Sequence, residues 1–350
     1  MAIRRYKNFK KRVVVVIGPY PGRIGGVSIF VKRLHQADIP GVEKFVLNTQ
    51  NFSIPTEKIY SLRHLVWLLP KSDLIHINIS NLFYCLIFSL MAKFLNKKII
   101  VQFHSLRYEV KGLKRLELRL ILKFSDKVIT VNGRIADKLL KYFPSESYKI
   151  RIIPAFISPN KGRLSDLPAK IVSLRREVSV LIVANASKIH FHKGNDLYGL
   201  GLSIDMFNKL ILRFPSAGFV FIVSEPSKEM YEVVSEHKMP QNFLLYEKPV
   251  DFMSLLKISD IFVRPTFSDG DSLSVREALS MGVPTIASNA VKRPKPVILF
   301  NINNPDDFLC KIENVITNMD FYKNKFVLNA NKQKDYLKDI RNLYFEVLHK

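Results

Sequence analysis

"KRVVVVIGPYPGRIGGVSIFVKRLHQ", residues 11–36, sets the architecture of the amino-terminal half. It begins as an unbroken β-branched run and stops at Gly and Pro. Such a run suits a strand covered on both faces of a parallel sheet. Past the loop, Val27, Phe30, Val31 and Leu34 recur at helical spacing. The segment is therefore a strand, a glycine-bearing loop and a helix. The loop, "GPYPGRIGGVS", lacks the Lys-Ser/Thr ending of a P-loop and the spacing of a dinucleotide fingerprint. Gly25-Gly26 remain. Without Cβ atoms their backbone admits close approach of a ligand, and free amides at the helix start favour an anion. A tight turn alone would explain them equally well.

The alternation continues. Strand-like runs fall at 72–79, 97–104, 126–132 and 149–154, with helical segments at 81–95, 111–124 and 133–142. Pro154, Pro159, Gly162 and Pro168 mark a linker. A second series follows, with strands at 178–186, 218–224, 242–247, 260–266, 283–288 and 296–301. Its helices lie near 196–213, 226–237, 251–258, 272–281 and 305–318, and the tail from about 320 to 348 reads as one more helix. Alternating strands and helices imply doubly wound α/β domains, which bind ligands at the carboxyl ends of their strands. The expected division is 1–165, 170–320 and a terminal helix within 321–350 that could cross back to the first domain.

Two loops of the second series carry chemistry. "ANASKIHFHKGNDLYGL" (184–200) follows a strand and holds Lys188 and Lys193, five apart. Two cations there could grip a diphosphate, or could be ordinary solvated lysines. His190 and His192 alternate with an aromatic residue, lack a carboxylate or cysteine partner, and do not read as a metal site. "SDGDSLSVREALSMGVP" (268–284) follows the strand "DIFVRPT". Ser272 or Ser274 can begin its helix, and Gly282 with Pro284 ends it. Val275, Ala278 and Leu279 should face the core. Glu277 is placed to accept two hydrogen bonds from a vicinal diol such as a ribose offers. The amides from Gly270 through Asp271, Ser272 and Leu273 to Ser274 crowd the helix start and suit phosphate or sugar oxygens.

With these residues in hand, the chain resembles the retaining family 4 glycosyltransferases of the GT-B fold, two Rossmann-like domains facing a central cleft. The family hallmark is an acidic residue, seven intervening positions and a Glu, matched by Asp269 and Glu277. A Gly-Gly loop after the first strand is matched by Gly25-Gly26. A histidine ending an N-domain strand is matched by His104 in "VQFHSL", and a basic residue five before Lys-Gly by Lys188 and Lys193-Gly194. "SDKVITVN" and "IRIIPAF" look like the family too. The likeness covers roughly 13–318. Two positions depart: Asp269 replaces the usual Glu, one methylene shorter, and Lys188 replaces the usual Arg, keeping charge but losing the bidentate fork.

The resemblance implies hexosyl transfer from a nucleotide diphosphate sugar, a co-substrate rather than a cofactor, with retention at the anomeric carbon. Lys188 and Lys193 would stabilise the departing diphosphate, and Glu277 would hold the ribose. Asp269 and the amides of Asp271 to Ser274 would orient the sugar and β-phosphate. His104 would sit near the reacting sugar, unless it is only a core histidine at a strand end. Asp269-Gly270-Asp271 looks like the Asp-x-Asp metal signature. That signature belongs to the other glycosyltransferase fold, and two loop aspartates leave a divalent ion short of ligands. No metal is expected.

Charge sets the partners. The 350 residues carry 54 Lys plus Arg against 30 Asp plus Glu, net +24, which favours polyanions. Part of the excess can be compositional bias. No RNA-binding signature or DNA-reading helix is present, so nucleic acid is not the expected partner. Residues 97–123 hold eight Lys or Arg against two acids, and within them "KGLKRLELRLILK" is a basic amphipathic helix. The first twelve residues add six cations. The expected setting is the cytoplasmic face of the bacterial membrane. There the chain would act on a glycan or lipid-linked acceptor in capsule, lipopolysaccharide or other surface-polysaccharide synthesis. "LFYCLIFSLMA" (82–92) is too short to span a bilayer and reads as a buried helix, or less readily an interfacial one. Two distant cysteines, Cys85 and Cys310, match no metal spacing. A catalytically silent GT-B subunit, a basic nucleic-acid binder and a sugar-nucleotide epimerase of related fold are the competing classes.

Overall fold

The computed structural model describes residues 11–20, 25–50, 58–106, 108–159, 165–192, 194–330 and 332–349. Lys193, residues 21–24 of the first glycine loop, Gly162 of the linker and the first ten residues thus lie outside the described residues. The chain forms two compact units: Met1–Asn160 with Asp335–Lys350, and Lys161–Lys334.

In the first unit the strands are β1 (Arg12–Gly18), β2 (Val42–Asn48), β3 (Ile59–Ser61), β4 (Leu74–Ile77), β5 (Lys98–Phe103), β6 (Lys127–Thr130) and β7 (Ile150–Ile152). All pair in parallel, in the order β3-β2-β1-β4-β5-β6-β7. Helices α1 (Gly26–Gln36), α2 (Leu65–Leu68), α3 (Leu82–Phe94), α4 (Gly112–Phe124) and α5 (Gly133–Tyr142) connect them. Val14 to Ile17 are fully buried, as a strand covered on both faces requires. The order reverses direction between β1 and β4, so the crevice at the carboxyl ends of those strands is the natural ligand position.

The second unit begins with α6 (Ala169–Glu177) and β8 (Val180–Ala186). A two-stranded hairpin, β9 (Phe191–His192) with β10 (Asn195–Asp196), precedes α7 (Leu200–Leu210). Then come β11 (Ala217–Val223), α8 (Lys228–Glu236), β12 (Phe243–Tyr246), α9 (Phe252–Ile258), β13 (Ile261–Arg264), α10 (Leu273–Ser280), β14 (Thr285–Ser288) and β15 (Ile298–Phe300). Helices α11 (Pro305–Thr317) and α12 (Met319–Ala330) complete this unit, while α13 (Leu337–Leu348) belongs to the first. The large sheet runs β12-β11-β8-β13-β14-β15, all parallel, with its switch point between β8 and β13. Strand alternation feeds two cores. Ile182, Ala184, Phe219, Phe221, Ile261 and Val263 pack on one face; Leu181, Val183, Val220, Ile222 and Phe262 pack on the other.

Several elements differ from the sequence expectation. β2, β3 and α6 lie in stretches that showed no clear period. β2 alternates in burial and β3 is half exposed, so neither reads as an apolar run. In α6 only Ile171 is buried. The tail is two helices rather than one. α12 packs on α10, where Val327 leaves no room for a Cβ on Gly282, and Lys323 Nζ meets Asp260 at 2.7 Å. α13 stitches into the first unit: the Tyr344 hydroxyl lies 2.7 Å from His76 Nδ1, and Glu346 lies 2.7 Å from Lys127. The second unit accordingly extends past 320 to Lys334.

Candidate active site

The candidate residues stand at the carboxyl edges of the two sheets. In the second unit, β13 ends at Arg264 and leads through a tight loop into α10. Ser272 is the N-cap of this helix, its Oγ accepting from Val275 N–H at 3.5 Å. The N–H groups of Leu273 and Ser274 have no partner inside the helix by geometry. Gly282, at φ +71°, closes the helix: Val283 N–H reaches back to Ala278 O at 3.0 Å. Val275, Ala278 and Leu279 fill the core, and Glu277 is itself buried at 6% exposure. A carboxylate held there, one turn from the helix start, is not a solvated surface charge.

The two aspartates of the loop are committed to guanidiniums. Asp269 Oδ2 accepts from Arg264 Nε at 3.2 Å and from Arg293 Nη1 at 3.1 Å, while its Oδ1 takes the N–H of Gly270 at 3.0 Å. Burial opposes charge on this carboxyl, but Arg264 and then Arg293 outweigh it and hold it below the usual carboxylate range. Asp271 receives Arg276 Nε on both oxygens at 2.8 Å. Among the described residues no group of three or more His, Cys, Asp or Glu gathers where a metal could sit.

Arg264 also ties the switch point together. Its Nη1 donates to Asn185 O at 2.7 Å, linking the ends of β8 and β13, and its guanidinium lies 4.8 Å from the Tyr198 ring centre. Arg293 lies in the loop after β14. Its side chain is 3% exposed, and its Nε and Nη2 have no hydrogen-bond partner among the described residues. Lys188, two residues beyond β8, is half-buried. Its charge reaches the start of α8, where the Glu229 carboxyl is lowered first by its own backbone amide and the Ser227 hydroxyl and then by Lys188.

In the first unit, Gly25 is the N-cap of α1 with extended backbone, φ −150°. Among the described residues, a Cβ added to it would meet nothing within 4 Å. The described neighbours of this position leave room for a side chain. Gly26 opens α1. His104 follows β5, and its Nε2 donates to Asn78 Oδ1 at 3.0 Å, leaving Nδ1 as the acceptor. Phe30 packs edge-on against it with ring centres 5.3 Å apart. Burial lowers the His104 pKa to about 3. His76, which bonds Gln102 Oε1 at 3.1 Å, is also lowered to about 3, by burial first and by His104 second. Both imidazoles are neutral in the fold at cellular pH, so His104 is a polar neutral group, not a cation.

A pH effect follows. The unfolded chain protonates these histidines near the ordinary value of ~6.5 and the folded one does not until about 3, so the unfolded state binds more protons between the two. Stability is at its full value above ~6.5 and falls as pH drops toward 3, by about 1.4 kcal/mol per pH unit for each proton. Urea titrations of the wild type and of His76→Gln across pH 4–7 should show a shallower decline in the variant; parallel declines would exclude this origin.

The structure holds Asp269, Glu277 and the α10 start at one sheet edge; the sequence had singled these out as candidates, together with Gly25, Gly26, His104 and Lys188. Sequence reasoning missed Asn78, Arg264 and Arg293. A lone arginine ending the apolar run "DIFVR" was a usable signal for Arg264. Arg293 in "VKRPKP" looked like one more surface cation.

Two parallel sheets of Rossmann type, each with its polar residues at the switch point, define the GT-B architecture of nucleotide-sugar-dependent transferases. Residues 7–161 match glycosyltransferase family 4, and residues 195–335 match glycosyl transferases group 1. The chain belongs to the family 4 glycosyltransferases. It is 25% identical over 266 residues to the Escherichia coli UDP-Gal:alpha-D-GlcNAc-diphosphoundecaprenol alpha-1,3-galactosyltransferase, covering 67% of this chain and 66% of that protein. It is 24% identical over 178 residues to protein CapJ of Staphylococcus aureus, covering 49% of this chain and 43% of that one. Among solved structures, Anabaena HepE in complex with UDP-glucose superposes with a TM-score of 0.70 at 13% identity, covering 96% and 99% of the two chains. A glycosyltransferase from Rickettsia africae gives 0.71 at 15%, covering 97% and 99%. These likenesses are of fold. No helix among the described residues is long and apolar enough to cross a membrane.

Proposed function

We propose that the protein transfers a hexose from a nucleotide diphosphate sugar to a glycan or lipid-linked acceptor in bacterial surface-polysaccharide synthesis, with retention of anomeric configuration and without a metal. The observation that carries this reading is the β13–α10 turn. Buried Glu277, the open amides of α10 and two guanidiniums sharing one carboxylate stand together at the switch point of the sheet. Glu277 holds the ribose diol. The amides of Asp271 to Ser274 take phosphate oxygens, and Lys188 with Lys193 neutralises charge on the leaving diphosphate as the glycosidic bond breaks. The acceptor hydroxyl attacks on the face the diphosphate leaves, through an oxocarbenium-like state: its oxygen bonds to the anomeric carbon as the bond to the diphosphate breaks, and its proton passes to the departing diphosphate oxygen. Neutral His104 positions a hydroxyl through its Nδ1 acceptor.

Metal independence is supported by the pairing of Asp269 and Asp271 with arginines, which occupies the oxygens a cation would need. The E. coli relative, named for a UDP-galactose donor and a diphosphoundecaprenol-linked acceptor, makes UDP-sugars and a polyprenyl diphosphate glycan the first pair to test. Such an acceptor places the enzyme on the inner face of the cell membrane.

UDP-, GDP- and ADP-sugars should be offered with the lipid-linked acceptor in the presence of EDTA, and the product linkage read by NMR. An α-donor is expected to give an α-linked product at an undiminished rate. An inverted linkage, EDTA sensitivity, or turnover of donor into an isomeric sugar nucleotide without acceptor would each overturn the corresponding part of the proposal.

A further inference from the structure

We propose that the apolar groove between α2 and α3 is the surface by which this protein enters an anionic bilayer, with Val66 and Phe94 as the inserting side chains and Trp67, exposed next to Val66 on α2, as their neighbour. The inference deepens the membrane-face setting proposed above and names its contact.

Helix α3 carries hydrophobic residues all round. Leu82, Cys85, Phe88 and Ala92 face the core. On the other side Phe83, Ile87, Leu90 and Phe94 recur at i, i+4, i+7 and i+11, with Tyr84 and Met91 beside them. Phe94 is 91% exposed, and Phe83, Tyr84 and Leu90 are exposed as well. A helix whose outer side faced only water would be polar there. This corrects the expectation that residues 82–92 form a buried helix: the interfacial alternative is the one the exposure pattern supports. The short α2 brings up exposed Val66 and Trp67. Between the two helices lies a cavity of about 630 Å³ whose lining, from Leu65, Val66 and Leu69 to Leu90, Met91 and Phe94, is apolar except for Lys93. That is the size of a site for a drug-sized apolar ligand, ~300–1,000 Å³. A contiguous apolar surface of this kind marks an interaction site, whereas scattered single residues do not.

Charge identifies the occupant. Residues 62–71 and 81–97 hold Arg63, Lys71, Lys93 and Lys97 and not one Asp or Glu. Lys93 lines the groove, Lys97 Nζ donates to the O of lining residue Pro70 at 2.6 Å, and Lys71, the residue after Pro70, holds its Nζ 3.5 Å from the Trp67 ring centre. The neighbouring α4 packs on α3 and adds exposed Leu113 and Leu116 with Arg115, Arg119 and Lys123. Hydrocarbon to fill the groove and anionic phosphates to meet its rim come together in a bilayer face. A second copy of this chain, docked on the same face, would set lysine against lysine.

Trp67 is the single tryptophan of the chain, so its fluorescence reports the event directly. The full chain, mixed with phosphatidylcholine vesicles containing phosphatidylglycerol, should show a blue-shifted Trp67 emission and quenching by brominated lipid. Pure phosphatidylcholine should bind far more weakly. Phe94→Glu should lower affinity for the anionic vesicles about ten- to a hundredfold, the factor set by withdrawing one Phe-sized side chain from hydrocarbon. Lys71→Gln should lower it about fivefold. Phe94 is exposed, so circular dichroism and melting should be unchanged. Emission indifferent to anionic vesicles, equal binding to neutral ones, or a Phe94→Glu variant that floats like the wild type would overturn the proposal. Self-association that Phe94→Glu abolishes, without vesicle binding in the wild type, would assign the face to a second copy and overturn it too. Donor hydrolysis without vesicles is the separate readout: its absence counts against sugar transfer and leaves the groove untouched.

Discussion

Glu277→Gln should weaken nucleotide binding about ten- to a hundredfold, because it removes the charged acceptor of two hydrogen bonds while keeping the shape of the side chain. The fold should survive, since the substitution retains an amide oxygen in the same buried position beside α10. Titration calorimetry with nucleoside diphosphates measures the loss directly. Lys193→Ala should divide differently. A cation that meets charge developing on the leaving diphosphate acts mainly in the transition state, so kcat should fall about 10²- to 10³-fold with a smaller change in affinity. If Glu277→Gln bound nucleotide like the wild type, the ribose clamp would be lost as an idea. If Lys193→Ala retained the wild-type rate, the leaving group would have to be stabilised from elsewhere.

The second large effect falls on stability. Asp269 is the shared counter-ion of Arg264 and Arg293, both nearly buried at 9% and 3% side-chain exposure. Asp269→Asn leaves two guanidiniums facing each other without their carboxylate. Removing one member of such a buried group costs roughly 3–5 kcal/mol. Replacing the second cation as well, in Asp269→Asn with Arg293→Met, should recover a substantial part, and with the Arg293→Met single variant the cycle gives the coupling energy between the two sites. Strict additivity in urea unfolding would show that the pair does not act as a unit. The pH dependence has a definite sign. The Asp269 carboxyl is held below its unfolded value, so its contribution is full above ~3.9 and is lost as pH falls through the lower, folded value. The acid limb of the wild-type unfolding curve should therefore flatten in Asp269→Asn.

This arrangement bears on the departure from the family pattern. The position where a longer Glu is usual carries an Asp whose oxygens are occupied by Arg264, Arg293 and the Gly270 amide. Its part in the proposed reaction is then to hold two arginines in place as much as to touch a sugar. Arg293 keeps Nε and Nη2 buried and unpartnered among the described residues, so its charge rests on the single Asp269 contact.

Local chemistry alone disclosed much of the molecule. The apolar runs and helical periods placed most strands and helices, because burial on both faces of a parallel sheet leaves a continuous β-branched stretch that nothing else explains. Cap residues did the same for α10: Ser272 starts it and Gly282 ends it through interactions only a few residues apart. The choice of Gly25-Gly26, His104, Lys188 and the Asp269–Glu277 spacing was legible in one dimension because a strand end and the following helix start are neighbours in sequence.

What depended on the tertiary structure was every relation between residues far apart in the chain. The pairing of Asp269 with Arg293 spans the β14 strand, and Arg264 reaches Asn185 across 79 positions. The His76–Tyr344 bond spans 268. No local period encodes such contacts. The same holds for α3, whose residues look uniformly apolar in sequence: only the packing of β4, β5 and α4 against one side decides which side is left to face the groove that Lys93 lines.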